Sequence, residues 1–395
     1  MSPATSPFTD FYRLDELLTD EEKLIRRTVR AFVEKEALPR LPRLWEEGRF
    51  PDDLVPGMGA LGLYGPSLDG YGLPGLGNRA YGLMMLELER GDSGLRSFAS
   101  VQGGLVMYPI HRFGTEEQKR KWLPLLATGE KVGCFGLTEP DHGSDPGGME
   151  TRARRDGDGW ILHGNKMWIT NANQAHVAVV WARDEEGVVR GFLVEKGLAG
   201  FTSSRMELKM SLRASDTGEL HLDEVRVPGD ALLPGASGLG AALACLNQAR
   251  YSIAWGTLGA ALACFEEAVA YAGERVQFDG PIAQFQLTQK KLADILTEVV
   301  KAQLLLFRLA ELKDAGTITP SQISLAKRNN CEMALAAARL CRQVLGANGI
   351  SLEYQTGRHL CNLEAVLTYE GTHDIHTLIL GQAVTGVAAY NRAKG

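Results

Sequence analysis

AALACLNQARYSIAWGTLGAALACFEEAVAYAG, residues 241–273, is apolar on nearly every face that a helix would present. A helix with no wet face belongs inside a protein core, so this stretch predicts a central, buried helix that others surround. The neighbours read the same way. Residues 284–314 form a second helical stretch. Thr319-Pro320-Ser321-Gln322 supplies an N-cap, an N1 proline and an N3 glutamine, starting a third helix that runs to about Leu345. Residues 362–390 give a fourth. Four helices with short connections predict an antiparallel bundle over 240–395.

Upstream the pattern changes. From 131 to 239, glycine, aspartate and β-branched residues alternate, which predicts a β domain of two small sheets or a barrel-like form. Trp160–His163 follows an Asp-Gly-Asp-Gly turn at 156–159. Residues 176–183 and 188–195 flank Glu186-Gly187 as a hairpin, and 217–227 alternates again. Before 131 the chain is mainly helical after an irregular lead-in over 1–18. Thr19–Glu22 and Thr115–Gln118 are capping boxes, and helices are expected over 81–90 and 97–113. The expected domains are therefore 1–130 (all α), 131–239 (β) and 240–395 (α bundle), an α+β multidomain protein.

Apolar residues are 45% and charged residues 23% of the chain, as in a globular protein, and the formal net charge is −6. That balance gives no reason to expect nucleic acid or an anionic membrane as partner. No apolar run is expected to span a bilayer. The six cysteines lack CxxC spacing and sit in apolar helical stretches, which suits reduced thiols in a cytoplasmic protein. The first residues carry neither a basic and apolar leader nor the composition of a transit peptide.

Several short stretches could carry chemistry. Val366–Leu380 reads Y-E-G-T followed by an apolar helical pattern, with Thr372 as cap and Gly371 allowing a tight turn. Glu370 is then either a desolvated base or a solvated carboxylate favoured by the helix dipole. The loop from Cys134 to Asp145 could cradle a phosphate or a heterocycle, or be a capped turn. Trp168 could stack on a ligand or pack in a core. Arg96 could fork onto a carboxylate or a phosphate, or form a surface salt bridge. Gln343–Gly349 ends a helix in a glycine turn, and Arg275–Phe278 closes the long helix. Gly238–Leu243 follows no βαβ strand and is not a dinucleotide fingerprint. His373 and His376 stand one helical turn apart but have no cysteine or third histidine nearby, so no metal is expected.

Taken together and in this order, these strings resemble the acyl-CoA dehydrogenase family over residues 15–393. The resemblance rests on GLTEPxxGSD (136–145), KxWITN (166–171), RxQF (275–278), QxxGxxG (343–349) and TYEGTxDIHxLILG (368–381). Within the family, RSFASVQ (96–102), SLRAS (211–215), CLNQARYSIAWG (245–256) and KRNNC (327–331) are similar to the glutaryl-CoA dehydrogenase branch.

The resemblance implies FAD. Phe135, Gly136, Leu137, Thr138, Gly143 and Ser144, with Trp168, Ile169 and Thr170, would hold the flavin. Arg275, Gln286 and the loop Gln343, Val344, Leu345, Gly346 and Ala347 would reach FAD across a subunit interface, which implies a homotetramer, a dimer of dimers. Thr372 would also contact FAD. The thioester chain would lie near Ser144, Gly371 and residues 243–250, including Leu243, with Asn247 and Arg250 facing the CoA, and Tyr369 would stand near the distal end. Glu370 would take the α-proton while the β-hydride leaves for flavin N5. Some branches place the base one residue before the position of Arg250, and here that is Ala249, which cannot serve. Arg96, with Ser97 and Ser100, would pair a glutaryl carboxylate, and Glu89 would assist at the distal end. Decarboxylation of glutaconyl-CoA to crotonyl-CoA and CO2, in lysine and tryptophan degradation, would follow, with an electron-transfer flavoprotein as acceptor. The alternative is oxidation of another short-chain acyl-CoA without decarboxylation. His142, Asp279 and Ala347 depart from the family pattern.

Overall fold

The structure, a computed structural model, describes residues 8–389. The first part is helical: α1 (Asp20–Phe32), α2 (Leu41–Glu47), α3 (Val55–Ala60), a ribbon of β1 (Asp69–Gly70) and β2 (Leu73–Pro74), then α4 (Asn78–Gly91), α5 (Ser93–Ser100), α6 (Tyr108–Phe113) and α7 (Glu116–Ala127). Both expected capping boxes form: Thr19 and Thr115 accept the N3 amide while Glu22 and Gln118 reach back to the cap. A π-helical segment, Val101–Met107, joins α5 to α6 without a break, so the helix expected over 97–113 begins earlier, behind the Asp92 cap. Residues 1–7 of the expected lead-in lie outside the described residues.

The β region comprises β3 (Gly133–Gly136), β4 (Arg152–Asp156), β5 (Gly159–Thr170), β6 (Val177–Arg183), β7 (Val189–Glu195), β8 (Phe201–Arg205), β9 (Thr217–Val227) and β10 (Leu232–Ser237). It is built as two four-stranded halves, β10-β7-β6-β3 and β4-β5-β9-β8, joined where Arg152 pairs with Arg183. Their buried faces share a core that includes Trp160, Leu162, Val180, Phe192 and Leu220. The 176–195 hairpin forms as β6 and β7.

The last part contains α8 (Leu239–Glu274), a ribbon of β11 (Val276–Gln277) and β12 (Gly280–Pro281), α9 (Gln286–Asp314), α10 (Pro320–Val344), α11 (Gln355–Thr368) and α12 (His373–Thr385). Helix α8 is central, packed by α4, α10, α9 and α11. By length and composition alone it could cross a membrane, contrary to the sequence expectation, but 78% of its most apolar window is buried inside the protein. Glycines let α4 and α8 approach closely: a Cβ at Gly259 would lie 2.0 Å from the Leu86 carbonyl oxygen.

One expected element is wrong. The fourth bundle helix over 362–390 is two helices, α11 and α12, separated by residues 369–372. The backbone turns left-handed at Glu370 and Gly371 (φ 54° and 102°), and Thr372 caps a fresh start by accepting the Ile375 amide. Residue 390 lies outside the described residues.

Candidate active site

The α11–α12 break places Glu370 in a conformation that costs a non-glycine residue on the order of 1–3 kcal/mol. Neighbouring side chains hold it there. Arg250 Nε donates to the Glu370 carbonyl oxygen at 2.7 Å. Gly371 has no room for a side chain, since a Cβ there would meet His376 Nε2 at 2.9 Å. Glu370 Oε2 is sealed from solvent and has no hydrogen-bond partner. Burial pushes this carboxyl up to about 7, against the pull of the Arg96, Arg250 and Lys327 cations. Burial and the Lys327 and Arg250 charges hold the enclosed His376 ring near 3, so it is neutral.

Arg96 is fully buried on α5 and faces this turn. Its Nε donates to Glu89 Oε2 at 2.6 Å, one Nη donates to the Tyr369 hydroxyl, and its guanidinium lies 5.5 Å from the Tyr369 ring centre. The other nitrogen, Nη1, is buried without a partner. Glu89 also accepts the Ser93 hydroxyl at 2.8 Å, and Gly256 of α8 leaves the space it occupies: a Cβ there would sit 2.0 Å from Glu89 Oε2. Ser100 and Ser252 share a 2.6 Å hydroxyl contact, and Ser97 is buried in the same turn of α5. Asn247 accepts from Arg250 Nη1 at 3.3 Å, and Leu243 lies one turn earlier on α8, half-buried. The structure thus gathers Glu89, Arg96, Ser100, Tyr369, Glu370 and Gly371 at one place. It turns Arg250 inward, onto the Glu370 backbone.

A second group forms where β3 meets β5. Phe135, Gly136 and Leu137 are buried, Thr138 is half-buried, and the Thr138 carbonyl accepts the Met167 amide at 2.9 Å. Trp168 adopts φ 62° at an irregularity in the β5–β9 register and leaves its indole 59% exposed. Ile169 is buried and Thr170 half-buried beside it. The loop through Gly143 and Ser144 is exposed, and a Cβ at Gly143 would meet nothing within 4 Å. Beneath it Lys166 Nζ donates to Glu139 Oε1 at 2.8 Å and to the Leu137 carbonyl at 3.1 Å. Burial works to raise the Glu139 carboxyl, but Lys166 and the Glu150 and Thr151 donors outweigh it and hold it near 2. Gln102 couples the two groups: from the π-helical segment after Arg96 it accepts the Gly133 amide at 2.9 Å, at the start of β3.

The third group does not join them. Arg275, Gln286, Gln343, Gly346 and Ala347 are exposed, while Val344 and Leu345 are buried. Arg275 ends α8, 25 residues from Arg250, which at 1.5 Å per residue is roughly 37 Å along the helix. The Asn348 amide donates to the Tyr271 hydroxyl at 3.2 Å, which draws the 343–349 loop to that same far end. Two departures from the family pattern resolve locally. Phe278 and Asp279 form the left-handed turn between β11 and β12, where Asp279 tolerates φ 64°. In the other loop the positive φ falls on Gly346, at 60°, so Ala347 meets no strain. His142 packs over Gly148, whose missing Cβ would lie 2.5 Å from its Nδ1.

These residues fit a flavin. A large aromatic face held out by backbone strain, beside an open glycine-bearing loop, supplies a ring contact and anion-binding amides. Sequence reasoning gave no role to Glu139, Lys166, Lys327, Ser252 or Gly256. All five belong to the motif strings, yet burial, which singles them out, is not visible in a string.

Family models described as the acyl-CoA dehydrogenase N-terminal, middle and C-terminal domains match residues 19–130, 134–225 and 236–385. The chain is 38% identical over 373 residues to the mitochondrial short-chain specific acyl-CoA dehydrogenase of Bos taurus, covering 92% of this chain and 90% of that one. A crystal structure of glutaryl-CoA dehydrogenase from Mycobacterium smegmatis superposes with a TM-score of 0.95 at 56% identity, covering 97% of this chain and 99% of that one. A glutaryl-CoA dehydrogenase from the same organism in complex with FADH2 gives a TM-score of 0.96 at 51% identity, with coverage of 98% and 100%.

Proposed function

The chain belongs to the acyl-CoA dehydrogenase family of FAD-dependent oxidoreductases, and from that premise we propose that it oxidises glutaryl-CoA and decarboxylates the product to crotonyl-CoA. The observation that carries the choice of substrate is the buried, unpartnered Nη1 of Arg96. A buried guanidinium donor without an acceptor is costly. A carboxylate at the end of a five-carbon acyl chain is the group that would satisfy it.

When bound, FAD would accept the β-hydride, so that loss of this hydride together with the α-proton leaves an α,β double bond in the acyl chain. Glu370 takes the α-proton: its carboxyl, pushed up to about 7, is basic enough to accept a proton and still ionised in part near neutrality. The proton it gains leaves it neutral beside the acyl chain. Breaking the bond to the distal carboxylate then releases CO2 and leaves its electron pair conjugated into the thioester. Return of the proton from Glu370 to the far carbon completes crotonyl-CoA. Arg96 orients the carboxylate before that cleavage, and Tyr369 and Glu89 fix Arg96.

One observation favours an uncharged short chain instead. Glu89 already pairs with Arg96, so the two together bring no net charge to this end of the site before substrate enters. Comparing substrates decides between them. Arg96→Gln should lower kcat/KM for glutaryl-CoA by about one to two decades more than for butyryl-CoA, the worth of a charge-assisted hydrogen bond. Because it also strips Glu89 of its partner, Arg96→Lys serves as the charge-preserving control. Equal losses on both substrates would return Arg96 to a structural role.

The same reading makes the enzyme a cytoplasmic homotetramer, a dimer of dimers that passes electrons to an electron-transfer flavoprotein. Its six free thiols suit a reducing compartment. The distance between the exposed Arg275 group and Glu370 suits a cofactor shared between subunits.

A further inference from the structure

Lys327 sits on α10 with its side chain fully enclosed, and its ammonium donates to backbone carbonyls: Leu367 at 3.1 Å and Gly371 at 2.9 Å. A buried ammonium is expensive unless it is bonded, and lysines are seldom fully buried. These two acceptors lie on either side of Glu370. The first belongs to the last turn of α11, whose carbonyls have no helical partner. The second lies in the left-handed stretch that precedes the Thr372 cap. Arg250 grips the Glu370 carbonyl between them.

Resting on the reading of Glu370 as the base, we infer that Lys327 is a positioning residue for the oxidation, clamping both ends of the strained turn so that the Glu370 carboxylate faces the acyl chain. Its helix, α10, packs against α8 and α11, so the clamp ties the turn to the rigid centre of the bundle. A second effect follows from its charge. The titratable groups around Glu370 are Glu89 and Tyr81 from α4, Arg96 from α5, Arg250 from α8, Lys327 and Cys331 from α10, Tyr369 beside it, and His376 from α12, which lies against Gly371. Among these, Lys327 is one of three cations that oppose the rise of the Glu370 carboxyl.

The test is Lys327→Met, which preserves length and removes the donors and the charge. Anaerobic flavin bleaching by butyryl-CoA and by glutaryl-CoA is followed against pH, per bound flavin. The Glu370 carboxyl is titrated in the substrate-free protein by difference infrared spectroscopy. The bleaching rate should fall by about 100-fold with both acyl-CoAs, the scale of an ångström of misplacement, with substrate affinity changed by only a few fold. The acidic limb and the infrared titration should both move to higher pH. Lys327→Gln, which restores one donor without the charge, should recover part of the rate and leave the limb displaced; it also carries the test if the methionine variant does not fold. A wild-type rate per flavin with an unmoved limb, even alongside lost stability, would overturn the inference. Glu370→Gln run in parallel separates the two ideas: if it bleaches normally the base assignment fails, and if it is inactive while Lys327→Met matches wild type, only the clamp fails.

Discussion

At Glu370 three physical demands meet in one residue. The left-handed backbone aims it, burial raises its carboxyl, and three cations keep that rise within reach of neutrality. The sign of the pH effect follows. The base must be ionised to accept the α-proton, and burial favours its protonated form. The rate of flavin bleaching should therefore climb from acid pH through a midpoint near 7, as its carboxyl ionises, and level off above it. A midpoint near the ordinary glutamate range would mean that Glu370 is solvated when it works. Glu370, Arg96 and Trp168 were each legible as candidates from residue type and neighbours, yet each kept a plain alternative. What removes the alternative is burial or its absence: Arg96 is enclosed and fixed to Glu89, while Trp168 is left open.

At the scale of elements, hydrogen-bonding chemistry written in short strings was the most readable. The three S/T-x-x-E/Q boxes at Thr19, Thr115 and Thr319 all form, because each satisfies orphan helix amides locally. The all-apolar stretch became the central helix α8 for an equally local reason: it has no face to give to water. The break between α11 and α12 was harder. The Thr372 cap was visible, but the apolar pattern continues on both sides of it, and periodicity alone runs a helix straight across. The clamp by Arg250 and Lys327 comes from α8 and α10, far away in sequence. Strand β4 was missed because Arg-Ala-Arg-Arg-Asp carries charge where alternation would show; its register is set by pairing with β5.

Across the whole molecule, the order of α, β and α regions could be read from composition, but the distances between motifs could not. Helix α8 carries the Arg250 end and the Arg275 end of the site roughly 37 Å apart, and Val276, Phe278 and Leu287 stand exposed at the far end. A homotetramer would cover them, and light scattering of the FAD-loaded protein should give four times the 43.0 kDa chain mass; a monomer would refute the shared-cofactor reading. The central claim is that one carboxylate at the α11–α12 break removes the α-proton. It is tested most directly by anaerobic mixing of the Glu370→Gln protein with glutaryl-CoA. The variant should stay yellow, with FAD content equal to wild type and no bleaching on the timescale over which wild type bleaches fully. Bleaching at the wild-type rate would contradict the account.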